Sequence, residues 1–431
     1  MNRTNRTFTD LNDDFVWVRV LYGFLAGGHF LFVLLLIIMV YRARKAQGML
    51  YRGINLMVIS LIAGNIVVWS MSLRIVIGRS IFPCFLYMSF FFVMYPPIII
   101  PIVLRTFRFF LLYTISRLQT KISQEGITEE RKNRNAARII FLVKIRKRKP
   151  ATFAFFILLS LHAAYWLIVT GAVTGITGEN KFSPYGCTSN YVVSLLAIIP
   201  IVVYAIVEVA FIVAMIILKV NDSYGISREL VVTTISYSVF CCAFVIVQSI
   251  PQYTLYVEQY FPAAIIPIFA IVIENILAVL IPVIKYYKTV EVKDDKHEPF
   301  ISGSFSDIQS TLDDPAARNE LKKYAVNSFC PEDILCWEDI QVYKEFKGEY
   351  EILKKGREIV KNYLNSGSPM ELNLPDPVKF KDDIEEKLNF MSDEELEDQK
   401  NESLLNVFDE LQTQVVINMA DVFKRFRASK K

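Results

Sequence analysis

Seven long apolar runs lie between residues 16 and 284, and each is close to the roughly 20 residues a helix needs to cross a hydrocarbon core. They occupy 16–41, 54–77, 84–104, 153–176, 191–218, 230–250 and 263–284. Backbone polar groups inside a bilayer must be satisfied within the segment, so the runs are expected to be helices. The predicted architecture is all-α: a seven-helix transmembrane bundle after a short tail, 1–15, and before a linker, 285–302, and a soluble helical domain. Pro96, Pro97 and Pro101 are expected to kink the third span, and apolar character resumes at 107–115, so that helix is expected to run on.

The loops set the orientation. Segments 42–53, 105–152 and 219–229 carry 4, 13 and 2 Lys/Arg, whereas the alternate loops carry only Arg79 and Lys181. Basic loops stay in the cytosol, which puts the N-terminus outside and residues 285–431 inside. The expected location is the plasma membrane. Charge also divides the chain: residues 1–299 are +13 and residues 300–431 are −9. The positive part sits beside apolar runs, notably Lys144-Ile145-Arg146-Lys147-Arg148-Lys149, so anionic lipid is its expected partner and nucleic acid is not. The same basic run is also a candidate docking surface for the acidic C-terminal domain.

Asn2 and Asn5 begin glycosylation sequons in the outer tail. Cys84 opens the third span and Cys187 lies in the second outer loop, where a disulfide between them, favoured over two unpaired thiols, would tie that loop across the helix mouth. Asn65, Glu208 and Glu274 fall near the middles of spans two, five and seven. Carboxylates at that depth are costly, so these residues line either a ligand or ion cavity or a structural polar network. No cluster with metal-ligand spacing and no phosphate loop is evident, so neither metal nor cofactor is expected.

The bundle resembles the G-protein-coupled receptors in topology alone. Leu104-Arg105-Thr106-Phe107 stands where their largest class carries Asp/Glu-Arg-Tyr, and span seven ends without that class's Asn-Pro-x-x-Tyr. An unknown extracellular ligand is implied by this resemblance.

After residue 300 the apolar residues recur at helical spacing. Ile334, Trp337, Gln341 and Lys344 share one face, which Ile340 widens; Ile352, Gly356, Ile359, Val360 and Tyr363 make a second stripe, and Leu404, Phe408, Leu411, Val415 and Met419 a third. Within this region, Phe329-Cys330-Pro331-Glu332-Asp333-Ile334-Leu335-Cys336-Trp337 resembles a signature of the regulator-of-G-protein-signalling (RGS) family. Leu372-Asn373-Leu374 resembles its central interhelical loop. Phe408 through Gln412, with Asp421 through Phe426, resembles its last helices. The likeness spans 303–428, leaving 429–431 as a basic end. Asp333 and Cys336 replace the family's usual Asn and Phe, and 376–403 is longer than usual.

The resemblance implies a GTPase-activating regulator of a heterotrimeric G-protein α subunit. Such a domain is not itself an enzyme; it holds the partner's switch segments around the reacting γ-phosphate. By position, the implied contacts are Glu332 and Asp333, Glu371 and Asn373, and Asp421 with Arg425, and Asn373 carries the most weight. The alternatives are a ligand-activated exchange receptor with built-in feedback and a non-catalytic G-protein-binding scaffold.

Overall fold

A computed structural model describes residues 15–44, 47–78, 96–123, 128–146, 148–172, 191–218, 220, 222–248, 250, 253, 257–294, 302–390 and 404–430, with single positions at 82, 86 and 93. Among the described residues there are helices and no strands. In chain order they are α1 (Val16–Ala43), α2 (Gln47–Arg52), α3 (Ile54–Ile77), α4 (Pro96–Ile122), α5 (Glu129–Arg146), α6 (Arg148–Ala172), α7 (Tyr191–Ile217), α8 (Ile226–Gln248) and α9 (Ile265–Glu274). A wide π turn, Asn275–Leu280, joins α9 to α10 (Ile281–Asp294). Then come α11 (Ser302–Asp313), α12 (Pro315–Asn327), α13 (Glu332–Glu345), α14 (Glu349–Ile359) with its π extension Val360–Leu364, α15 (Pro377–Phe390) and α16 (Asp409–Ser429).

Among the described residues, six helices are long and apolar enough to cross a membrane: Val16–Ala43, Ile54–Ile77, Pro96–Ile122, Pro150–Val169, Ile226–Phe244 and Ile265–Tyr287. Helix α7 adds a shorter apolar stretch, Val202–Ile217. The prolines of the third run do not act alike. Pro96 and Pro97 open α4, where a missing amide costs nothing, and only Pro101 lies inside it. The helix then continues to Ile122, as the resumed apolar pattern predicted. The last span also outruns its predicted end, because α10 continues to Asp294 through residues assigned to the linker.

Two units divide the chain: 1–109, 148–220 and 225–296 form one, and 110–147, 221–224 and 297–431 the other. In the first, α1 buries Val18, Tyr22, Ala26, His29, Val33, Leu36 and Val40, a stripe at spacings of three and four. Their partners include Val67, Val68 and Met71 toward one end and Met57 and Leu61 toward the other. The opposite face keeps Val16 and Phe24 exposed, as a lipid-facing surface does. Gly64 permits a close helix approach, since a Cβ there would lie 2.9 Å from Ile271 Cγ2.

In the second unit, α11 to α16 enclose a core built around Trp337, Tyr343, Tyr363 and Phe408, all buried. Helix α13 buries Ile334, Leu335, Cys336, Trp337, Ile340 and Tyr343, a broader face than the predicted stripe. Asp314 caps α12 by accepting from the Ala316 amide at 3.0 Å, with Pro315 at the first helical position. The same helix ends in a Schellman turn: Cys330 N–H donates to Ala325 O at 3.1 Å and Phe329 N–H to Val326 O at 3.2 Å. The left-handed position, φ +59°, is held by Phe329, where glycine is usual. Burial of the aromatic ring offsets the steric cost of roughly 1–2 kcal/mol. The core does not stop at residue 297. Ile115, Ile122 and Ile139, from α4 and α5, are buried in the same cluster.

Candidate functional site

The six residues singled out in the C-terminal domain lie along one ridge. Glu332 and Asp333 open α13, directly after the Phe329 turn. Glu371 and Asn373 stand in the interhelical segment before α15, with both side chains exposed. Asp421 and Arg425 occupy successive turns of α16 and pair at 3.3 Å. Asn418, one turn before Asp421, ties the three groups together. Its Nδ2 donates to Asp333 Oδ1 at 3.4 Å and to the Asn373 carbonyl at 3.2 Å. Sequence reasoning missed Asn418, although its spacing of three from Asp421 places it on the same helix face.

Local bonds fix the ridge. Glu371 Oε2 accepts from the Gly367 amide at 2.8 Å, where Gly367 has φ +78° and so occupies a position that favours glycine. The Leu372 amide donates to Tyr363 O at 3.0 Å, pinning the loop beside the π extension. Asp333 is buried, and burial raises its carboxyl above the ordinary range against the lowering effect of Asn418. Glu332 is also raised, by burial first and then by the neighbouring charge of Asp333. The Cys330 and Cys336 thiols are pushed up by burial, which makes them inert packing groups. Two interhelical loops and a last helix thus present acceptors and one guanidinium on rigid supports.

Residues 307–431 match the family model of the Regulator of G protein signaling domain, and the C-terminal part of the chain is an RGS domain. The expectation of 303–428 therefore overlaps the matched segment nearly throughout. No curated protein and no solved structure matches the chain.

The first unit holds a separate set of buried polar groups. Glu274 accepts from Ser60 Oγ at 2.6 Å and Tyr237 Oη at 2.7 Å. Asn65 Oδ1 is 3.1 Å from His29 Nδ1, and Asn275 Nδ2 is 3.2 Å from His29 Nε2. Glu208 Oε2 accepts from Thr106 Oγ1 at 3.3 Å and from Thr234 Oγ1 at 3.5 Å. Of the three residues expected to line one cavity, Glu208 alone lines the void of about 50 Å³ bounded by Tyr204, Thr234, Tyr237 and Ser238. Asn65 and Glu274 belong to hydrogen-bonded networks instead, because neighbouring helices supply donors at the right depth. A further buried group joins Glu229 to Arg52, at 2.8 Å, and to Arg105.

Cys84, Cys187, Asn2 and Asn5 lie outside the described residues. Among the described residues, no three His, Cys, Asp or Glu side chains are grouped to hold a metal ion.

Proposed function

We propose that this protein is a membrane-embedded GTPase-activating regulator of a heterotrimeric G-protein α subunit. Its catalytic contribution is to hold the partner's switch segments in their transition-state arrangement, while the reacting water and phosphate belong to the partner. The observation that carries this reading is the Asn418-bridged ridge within a segment that matches the RGS family. Asn373 reaches out from the ridge with its main-chain carbonyl held, so its amide is free of local duty and suited to orienting a switch group. Arg425 and Asp421 serve docking.

The apolar helices and the asymmetric basic loops support seven spans, an outside N-terminus and a cytosolic regulator domain. The same orientation leaves the Asn2 and Asn5 sequons and a Cys84–Cys187 bridge in an oxidising compartment. Confinement to the membrane that carries the α subunit raises effective concentration, so modest affinity suffices. The Glu208 void supports a sensing role for the spans, and hence a second reading in which the bundle is a ligand-activated receptor.

Single-turnover GTP hydrolysis by an α subunit, measured with the full chain in lipid nanodiscs, tests the main reading. Acceleration of at least about tenfold, or 1.4 kcal/mol of barrier, is expected. Asn373→Ala is expected to abolish it. Equal acceleration by wild type and variant would remove Asn373 from its role, and binding without acceleration would make the domain a scaffold. Nucleotide exchange measured in the same nanodiscs tests the receptor reading, which requires stimulation by an added ligand.

A further inference from the structure

The docking ridge is contacted by the chain itself. Residues 110–122 and 222–224 bond to positions beside Glu332 and Glu371 and to Arg425 directly. Just before Glu332, Ser116 Oγ donates to the Val326 carbonyl at 2.8 Å, and the Ser223 amide donates to the Asn327 carbonyl at 3.1 Å. Ser223 Oγ also lies 2.7 Å from Ser328 Oγ. Two residues before Glu371, Gln119 Nε2 donates to the Pro369 carbonyl at 2.9 Å. On the last helix, Arg425 Nη1 donates to Ser223 Oγ at 3.3 Å, and its guanidinium lies 4.3 Å over the Tyr224 ring.

These are not incidental touches. Ile115, Ile122 and Ile139 are buried in the domain core, and Lys132 pairs with Glu358 at 2.6 Å. The apolar anchors hold 110–122 in place, and the polar contacts of both segments fall beside the loops that would meet a partner. Arg425, assigned to docking, has its guanidinium committed to Ser223, Tyr224 and Asp421. Glu371 and Asn373 remain exposed.

We infer that 110–122 and 222–224 form an internal interaction surface whose partner is the protein's own docking ridge, so that they compete with the G-protein α subunit for it. This inference rests on the G-protein reading above. A site that is covered part of the time binds more weakly by the fraction of time it is open. A tethered competitor needs no tight contact of its own, because its effective concentration is high. The exposed Glu371 and Asn373 are the foothold from which a partner begins to displace it.

The test uses the full chain in nanodiscs, an α subunit in its GDP–aluminium fluoride form for binding, and single-turnover hydrolysis for activity. The variant Gln119→Ala/Tyr224→Ala removes covering contacts and no ridge residue. It is expected to bind at least tenfold tighter and to accelerate hydrolysis at least tenfold more than wild type at subsaturating concentration. Adding Asn373→Ala is expected to return hydrolysis to the intrinsic rate. Equal or weaker binding by the variant, with both proteins active and Asn373-dependent, would overturn the self-docking and leave the G-protein reading standing. Absence of binding and acceleration in both proteins would overturn the two together. Hydrogen exchange monitors folding: amides of α13 should stay protected while those at 328–332 exchange faster. Should the double variant lose α13 protection, Gln119→Ala alone, which removes one hydrogen bond and no buried ring, decides by the same criteria with a smaller expected gain of about threefold.

Discussion

Asn418 Nδ2 lies 3.4 Å from Asp333 Oδ1, and this contact fastens the last helix of the regulator domain to the start of α13. It is a bond made to a buried carboxylate that the sequence reading took for a surface contact residue. An Asn at 333 would keep the accepting oxygen without the charge, so the Asp adds a titration to a site that needs none for its shape.

The sign of that titration follows from burial. Asp333 is raised above the ordinary range near 3.9, so the folded domain binds more protons than the unfolded chain between the two values. The stability it contributes is complete below about pH 4 and is lost as pH rises through the raised value. Asp333→Asn is therefore expected to protect α13 amides by on the order of 1–2 kcal/mol more than wild type at pH 7.5. The difference should close toward pH 4. Hydrogen exchange across that range reads it, and a constant difference would show that Asp333 does not titrate.

Gly356 sits where its helix meets two buried neighbours. A Cβ there would lie 3.1 Å from Leu388 Cδ2 and 3.3 Å from Tyr343 Cε2. Tyr343 is fixed by its hydroxyl, which donates to Leu404 O at 2.6 Å. Alanine gains up to about 1 kcal/mol of helix propensity, but the overpacking costs about 1–3 kcal/mol. Gly356→Ala should lower protection in α14 and α13 despite the better helix former.

Glu229 compensates two buried guanidinium groups, Arg52 and Arg105. Glu229→Ala leaves both without their carboxylate, and breaking a buried pair of this kind costs about 3–5 kcal/mol. Thermal inactivation in detergent should shift down accordingly, whereas Glu229→Gln should fall between variant and wild type.

Residues 300–431 produced alone would leave uncovered the apolar surface that Ile115, Ile122 and Ile139 fill. The fragment is expected to bind a hydrophobic dye and to self-associate, and a peptide of residues 110–147 should suppress both. A monomeric, dye-silent fragment would show that its own six helices close the core.

Hydropathy found apolar helices, six of them span-length among the described residues, and helical periodicity found the core of the regulator domain, because each depends on residues within one element. Trp337 and Phe408 are buried as their stripes required. The motifs marked Asp333 and Asn373 but not Asn418, whose bonds to both are visible only once α16 lies against α13. The segments 105–152 and 219–229 were read as loops from their Lys and Arg, although a helix was expected to run on through 107–115. Ile115 and Ile122 are seven apart and share a helix face, yet nothing local says which distant surface that face meets. Of the basic 144–149 run, Arg146 acts on the acidic domain through its charge, lowering the Glu332 carboxyl against the effect of burial. The cross-segment bonds come from Ser116, Gln119, Lys132 and Ser223, with buried isoleucines beneath them.

The shared core also sets an order in time. Ile115, Ile122 and Ile139 leave the ribosome well before the helices that bury them, since those helices begin at Ser302. At roughly 5–20 residues per second the interval is on the order of 10–40 s. Through it, two apolar-faced helices stand in water without a partner, so the biogenesis of this protein should depend on a holding chaperone far more than its span count alone would suggest.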